Sequence, residues 1–363
     1  MLYKLLTLIA VSTAAFGQSA FLNGEYIIGA RASSMSAFAA DPDPEHAVIL
    51  NPAKLSDVTN LYLTCDYEYQ RSLNGMFRSN FFRTRSAGAT FHVLFLGVGT
   101  DYSYLELNQN RTELYEVGFG IPTFSGISLG ITGKYISLEE ERNLEPLYPN
   151  VIANYRSKKF AFDVGLHKKD ILANNMFFSA VINMGITYDN IGIKGSVTRK
   201  YLPETSVMTD QTIPDYIPEF ITIGAQYSFI SNYRLADFEM FRFSVAADYS
   251  HRTNVSPPVY SNNIEYPRDI YRLGFEGQAL GVLAVRIGYV LTAPEIAGKS
   301  FVTNVSVSQA GTGFSYGFSL RFPIRLVLPD IPLNWIELYY SKSPGWTTSI
   351  DHNLFGLSAQ IEM

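Results

Sequence analysis

Cysteine is almost missing: Cys65 is the only one in 363 residues. An intrachain disulfide is therefore impossible, and so is a cysteine-based zinc cluster. Cys65 reads as an inert small hydrophobe. Charge is scarce as well. Asp, Glu, Lys and Arg together make 17% of the chain, where soluble domains carry about a quarter. The formal net charge is -5, so no basic excess points to nucleic acid as a partner. Long apolar runs are absent after Gln18; nothing nears the ~18 residues that a membrane-crossing helix needs.

Chemistry-bearing patterns are equally thin. His46, His92, His167, His251 and His352 show no metal-ligand spacing among themselves. No Gly-x-Ser-x-Gly elbow is present. Asp163, His167 and Ser179 can be assembled on paper into a hydrolytic set, but their spacing gives no support for it. Asp41, Asp43 and Glu45 offer carboxylates for calcium, yet Pro42 and Pro44 oppose their convergence, and a capped turn is the simpler reading. Glu139, Glu140 and Glu141 read as a solvated loop run. The expectation is a non-enzymatic chain with no cofactor and no metal.

What the chain does hold is aromatic and small. Phe, Trp and Tyr reach 14%, with 24 Tyr, 25 Phe and 27 Gly. Residues 1–17 read as a signal peptide: Lys4, a short apolar stretch, then Ala15 and Gly17 before Gln18. Beyond it, hydropathy alternates with a period of two. In "LYLTCDYEYQ", Leu61, Leu63, Cys65, Tyr67 and Tyr69 share one face, and Tyr62, Thr64, Asp66, Glu68 and Gln70 the other. That is a strand with one apolar and one polar side. "KFAFDVGLHK", "FITIGAQYSFI", "FRFSVAADYSH", "YRLGFEG", "VLAVRIGYV" and "FSYGFSLRFP" repeat the pattern.

Two all-β architectures fit: a secreted sandwich with its apolar faces inward, or an antiparallel transmembrane β-barrel with its apolar faces toward lipid. Three features favour the barrel. The polar faces use Gly, Ser and Thr with isolated charges, as a crowded lumen would. Tyr and Phe recur at strand ends, where interfacial girdles sit. The strands continue without a linker. Asp189-Asn190 reads as a tight turn. Residues 71–86, 138–150, 199–219 and 251–269 read as long polar loops. Arg242, Asp248, Arg272, Glu276, Arg286 and Arg321 fall on polar faces and should pair inside the lumen, since buried charges need partners.

One stretch does not alternate: "IIGARASSMSAFAADPDPEHAVILNPAKL", rich in Ala and Ser, then acidic, then Asn51-Pro52-Ala53. It resembles the N-terminal signature of the FadL-like barrel superfamily, with Gly29, Arg31, Ala32, Met35, Ala39, Ala40, Asp41, Asp43, Asn51, Pro52, Ala53 and Leu55 in register. Within it, the branch with PorV and PorQ of the Bacteroidota type IX secretion system is the most similar. Two departures stand out: Met35-Ser36 replaces Met-Gly, and "DPDPE" replaces a tight Asp-Asp.

The resemblance implies a fourteen-stranded barrel (57–363) in the cell outer membrane, with residues 18–56 plugging its lumen. Arg31 would pair with a luminal carboxylate, and Asn51-Pro52 would turn the plug into the first strand. It also implies a component of a protein secretion or outer-membrane complex. The partners would be outer-membrane lipid or lipopolysaccharide and a larger outer-membrane protein or secreted substrate. Met76, Phe77, Phe81 and Phe82 in an outer loop suit such contact. The alternative it implies is a transporter of hydrophobic small molecules.

Overall fold

The computed structural model describes residues 29–71, 81–107, 110–143, 152–192, 195–202, 211–215, 219–235, 238–253, 267–294, 312–344 and 352–363. In chain order the strands are β1 (Leu61–Arg71), β2 (Phe81–Val93), β3 (Leu96–Leu107), β4 (Asn110–Pro122), β5 (Ile127–Asn143) and β6 (Ile152–Asn174). They continue with β7 (Phe178–Gly192), β8 (Gly195–Leu202), β9 (Gln211–Asp215), β10 (Phe220–Ser231), β11 (Arg234–Leu235) and β12 (Phe238–Glu239). The last six are β13 (Phe241–Arg252), β14 (Pro267–Ala279), β15 (Leu283–Pro294), β16 (Gly313–Phe322), β17 (Leu333–Ser343) and β18 (His352–Ile361).

Strands β1–β7, β10 and β13–β18 form a closed 14-strand antiparallel barrel. Its seam is the β1–β18 ladder, running from Leu61 opposite Ile361 to Tyr69 opposite Asn353. Closure leaves no unpaired strand edge, which is what a lipid environment demands of a sheet. β8 and β9 extend the sheet beyond the far end of β6. β11 and β12 form a small hairpin between β10 and β13.

Alternation decides which way each side chain points. Along β1, Leu63 and Tyr67 face outward while Thr64, Asp66 and Glu68 are buried inside. The outward face carries Phe119, Ile131, Phe162, Ile223, Phe243, Leu273, Ile287, Phe318, Leu338 and Leu357, all exposed. This continuous apolar belt, with a polar buried lumen, is the inverse of a soluble fold and places the protein in the outer membrane. Cys65 lies on the outward face. Aromatic ladders ring the wall. Tyr102, Tyr115, Tyr135 and Phe160 run across β3–β6, with centroids 4.9–6.1 Å apart. Nearer the opposite end stand Phe178, Phe229 and Phe241. Two girdles at different heights match the two interfaces of a bilayer.

The connections differ by end. Residues 94–95, 123–126, 175–177 and 280–282 are tight links at one end, while 193–219, 253–266 and 295–312 join strands at the other. Short links face the periplasm and long ones the outside.

Several sequence expectations about loops are corrected. Phe81 and Phe82 are not in a loop: they pair with Arg71 and Gln70 in the β1–β2 ladder. Met76 and Phe77 lie outside the described residues. β5 runs on to Asn143, so Glu139–Glu141 belong to a strand, and β8 and β9 occupy part of 199–219. Barrel strands outrun the membrane, and their polar extensions lack the alternation by which strands are read. Asp189-Asn190 is no turn either. Asn190 takes φ 59° inside β7, and its backbone N–H donates to Asp163 Oδ1 at 2.7 Å. Asn tolerates this left-handed geometry, and the β6–β7 register shifts between Phe162 and Val164 beside it. The feature is an irregularity in a continuing strand.

Candidate functional site in the lumen

Most of the fully buried apolar residues lie in the non-alternating segment rather than in the wall. Ala32, Met35, Ala39, Ala40, Val48, Ala53 and Leu55 are all within 1% of full burial. The segment consists of α1 (Ala30–Met35), a 3-10 turn (Pro44–His46), α2 (Ala47–Leu50) and a second 3-10 stretch (Pro52–Asp57). These pieces are too short to stand alone. They hold because the wall surrounds them.

Local chemistry shapes each bend. Ser36 ends α1 in the left-handed conformation at φ 59°, the place where the superfamily pattern has glycine. Its hydroxyl donates to Ser315 Oγ at 2.7 Å, which offsets part of the cost of a non-glycine residue there. Asn51 accepts the Ala53 N–H at 3.1 Å, with Pro52 entering the 3-10 stretch behind it. Asn51 Nδ2 donates to Ala39 O at 2.7 Å and Leu166 O at 3.3 Å. One side chain thus ties two parts of the segment to the wall.

Glycine lets the wall approach. A Cβ at Gly130 would run into the Pro52 carbonyl carbon, one at Gly185 into Ala39 O, and one at Gly288 into Met35 O. Strand glycines at such points mark close passage of another backbone.

Polar anchors hold the segment to neighbouring strands of the wall. On β13, Asp248 accepts the Phe38 N–H at 2.5 Å and the Ala39 N–H at 2.9 Å. Arg272 lies over the Phe38 ring at 5.0 Å and donates to Ser250 Oγ at 2.5 Å. From the adjacent strand β14 an ion-pair chain runs on toward β17. Asp41 meets Arg31 at 2.9 Å, Arg31 meets Glu276 at 3.2 Å, and Glu276 meets Arg286 at 2.7 Å. Arg286 reaches Glu337 at 3.9 Å, and Arg321 meets the same carboxylate at 2.6 Å while covering Trp335. Arg242 stands apart at the rim, 3.0 Å from Glu239.

Asp41 also meets Lys54 at 2.9 Å and accepts from Gln226 at 2.9 Å. Burial alone would raise the Asp41 carboxyl; Lys54 and Arg31 instead hold it well below the usual carboxylate range. Burial and the neighbouring Asp43 push Glu45 up to about 7. Burial would lower His46, but Asp66 brings it to about 9. Its Nε2 lies 2.9 Å from Asp66 Oδ2, and the Tyr339 hydroxyl donates to the same carboxylate.

Arg31, Glu276, Arg286 and Arg321 therefore come together in one chain, Asp248 and Arg272 meet at Phe38, and Asn51 and Pro52 sit at the floor. Sequence reading missed Glu337, Lys54, Gln226 and the Asp66–His46–Tyr339 group. Alternation in "NWIELYYS" puts Glu337 and Tyr339 on the buried face with Trp335, a signal that was available. The paper triad does not assemble. Ser179 bonds to Asn174 and Asn232 at a periplasmic turn. Its ladder partner Asn174 lies seven positions along β6 from His167, roughly 23 Å at the strand rise.

The segment divides the lumen. Below it, toward the periplasmic turns, a cavity of about 690 Å³ is lined by Asp43, Glu45, Lys54, Arg286, Arg321 and other polar groups. Above it, a recess of about 70 Å³ has an apolar face of Phe38, Ile49, Leu50, Leu114, Phe220 and Ile270 and a polar face of Glu116, Lys134, Asp189, Asn190, Thr222, Ser250 and Arg272.

No family model matches this sequence, and no curated protein matches it. Solved structures do. The deltaS2 mutant of the TodX monoaromatic hydrocarbon channel aligns with a TM-score of 0.51 at 12% identity, over 93% of this chain and 99% of that one. The toluene transporter TodX of Pseudomonas putida gives 0.49 at 11%, over 93% and 98%. A FadL homologue of Pseudomonas aeruginosa gives 0.47 at 11%, over 93% and 99%. At such identity the likeness is one of fold. With the closed wall, the apolar belt and the filled lumen, the fold is that of a 14-strand outer-membrane β-barrel.

Proposed function

We propose that this chain is an outer-membrane transport barrel that takes up a small, largely apolar molecule from outside, with the luminal segment as its gate. The recess above the segment carries this reading. Phe38, Ile49 and Leu50 of the segment and Leu114, Phe220 and Ile270 of the wall give it an apolar face suited to such a ligand. The fold likeness to a monoaromatic hydrocarbon channel supports it. At about 70 Å³ the recess is far below the ~300 Å³ of ordinary ligand pockets. Passage therefore requires the segment to shift toward the larger cavity beneath.

A second reading has its own observation. The segment is pinned to the wall by Asp248 of β13 and by the Asp41–Arg31–Glu276 chain that reaches β14. A locked barrel would work through its outer face instead, as an adaptor of the PorV kind for a larger outer-membrane protein or a secreted substrate. Lipopolysaccharide contact and Phe81 and Phe82 at the outer end of β2 would serve that role.

A reversible lock separates the two. Ser33 and Ser341 place their hydroxyl oxygens 2.5 Å apart, one on the segment and one on β17. Ser33→Cys with Ser341→Cys, in a Cys65→Ser background, is expressed in a host lacking its own hydrophobic-uptake barrels. Expected are uptake of labelled toluene or fatty acid above the vector control, loss on oxidation, and recovery with reductant. Folded barrels without uptake, retaining a bound protein through mild detergent extraction, would establish the adaptor reading.

A further inference from the structure

The 3-10 turn in the luminal segment gathers three potential ligands that the ion-pair chain does not use. One carboxylate oxygen of Asp43, one of Glu45 and one ring nitrogen of His46 lie within 4.8 Å of one another. Read as sequence, the prolines of "DPDPEH" oppose convergence of its acids. In the structure Pro44 opens the turn with Asp43 as its N-cap, which swings Glu45 and His46 back beside Asp43. Asp41 is drawn away to Arg31 and Lys54.

The imidazole supplies an independent sign. His46 is 1% exposed, and its Nδ1 has no hydrogen-bond partner. A buried ring nitrogen left unpaired costs free energy unless something fills the place. The other nitrogen, Nε2, is engaged by Asp66, which in turn accepts from Ser86 Oγ at 3.1 Å and from Tyr339. A carboxylate behind one ring nitrogen fixes the tautomer and aims the other, as is usual for histidines that bind metal. Gly29 lies against the ring, where an added Cβ would stand 2.8, 3.0 and 3.2 Å from Nδ1, Cγ and Cε1. Near-equal distances put it over the ring face, off the line of the Nδ1 lone pair.

We propose that Asp43, Glu45 and His46 form a binding site for a divalent transition ion, Zn²⁺ by its donor set, on the periplasmic side of the luminal segment. One imidazole and two carboxylates suit zinc. Ligand bonds near 2.1 Å set donors about 3.4 Å apart in a tetrahedron, so the group closes by a small side-chain adjustment. Asp43 Oδ2 accepts the Arg31 N–H at 3.2 Å, leaving Oδ1 for the ion. Asp43 and Glu45 line the 690 Å³ cavity, which gives the ion a route in and leaves the fourth position to water. Binding displaces any proton on the imidazole. Such an ion would cross-link the turn and stiffen the segment, whatever the barrel carries.

The test is equilibrium dialysis of the full-length chain in detergent, stripped with chelator and then titrated with ZnCl₂. Bound metal is measured by mass spectrometry, and folding is checked by the heat-modifiable gel shift. One equivalent per chain is expected. Glu45→Gln and His46→Gln should each lose at least tenfold in affinity, and Asp66→Asn about 10–100-fold through misorientation of the ring. His251→Gln, at the barrel's outer end, should change nothing. X-ray absorption of the loaded protein should show a histidine among light-atom ligands. A folded wild type that takes up no zinc overturns the proposal. So does zinc that stays equally bound when Glu45→Gln, a variant that keeps the shape of a cavity-facing side chain, replaces the wild type.

Discussion

At the scale of single residues, the lumen is governed by pairing. Lys54 is the clearest case, because one buried ammonium serves Asp41 at 2.9 Å and Asp57 at 2.8 Å. Removing one partner of a buried pair costs about 3–5 kcal/mol, since a charge is left stranded. Lys54→Met is expected to loosen the segment by that order, read as faster proteinase K cleavage within residues 29–57 while the barrel stays resistant. Adding Asp41→Asn should recover part of the loss, and additive effects of the two changes would show that they do not interact. Much of this pairing was legible beforehand. Arg272, Glu276, Arg286 and Arg321 stand on polar faces of alternating strands, so their inward direction follows from period two. Their partners were not legible, because pairing across the lumen depends on strand order and on the folded segment. Lys54 follows Asn51-Pro52-Ala53 in the sequence, yet nothing local says it must reach back to Asp41.

Elements behave according to what encloses them. The strands were readable where lipid faces one side, as in "LYLTCDYEYQ", and unreadable where they rise above the membrane, as at Phe81-Phe82 and Glu139–Glu141. A strand that extends past the bilayer has no lipid on either side to impose a period. The segment is the reverse case. It lacks periodicity because every side of it is buried, so composition and the superfamily likeness identified it where alternation could not. Its removal is informative. Deleting residues 29–57 joins the polar cavity below to the recess above. We expect the shortened barrel to conduct ions in planar bilayers, while the intact chain stays silent. A barrel of this strand number lies between those packed solid by side chains and the 16–18-stranded porins with aqueous channels. A folded deletion variant that does not conduct would mean the wall side chains close the lumen unaided.

For the whole molecule, the solvent is the bilayer. Ile287, 49% exposed on the outer face of β15, is held in lipid. Ile287→Arg should cost about 2–4 kcal/mol if it sits near the midplane, measured as a lower urea midpoint in vesicles. Val327, in α3 (Ile324–Val327) at the periplasmic end, should accept arginine at about 0–1 kcal/mol. Equal costs at the two sites would contradict the placement of the membrane belt. The closed ladder also sets a timetable. Residues 29–57 leave the ribosome before any strand, yet α1 docks against β15, β16 and β17, which are among the last strands made. Ser33 waits for Ser341, and Ser36 for Ser315. Synthesis and docking thus run in opposite order, across some of the longest sequence separations the chain contains, the kind of contact that slows folding most. Until β18 meets β1, the wall around the segment is still open along one seam. Biogenesis must therefore wrap the wall around its own first residues, and closing the seam is the step that checks whether they were inside.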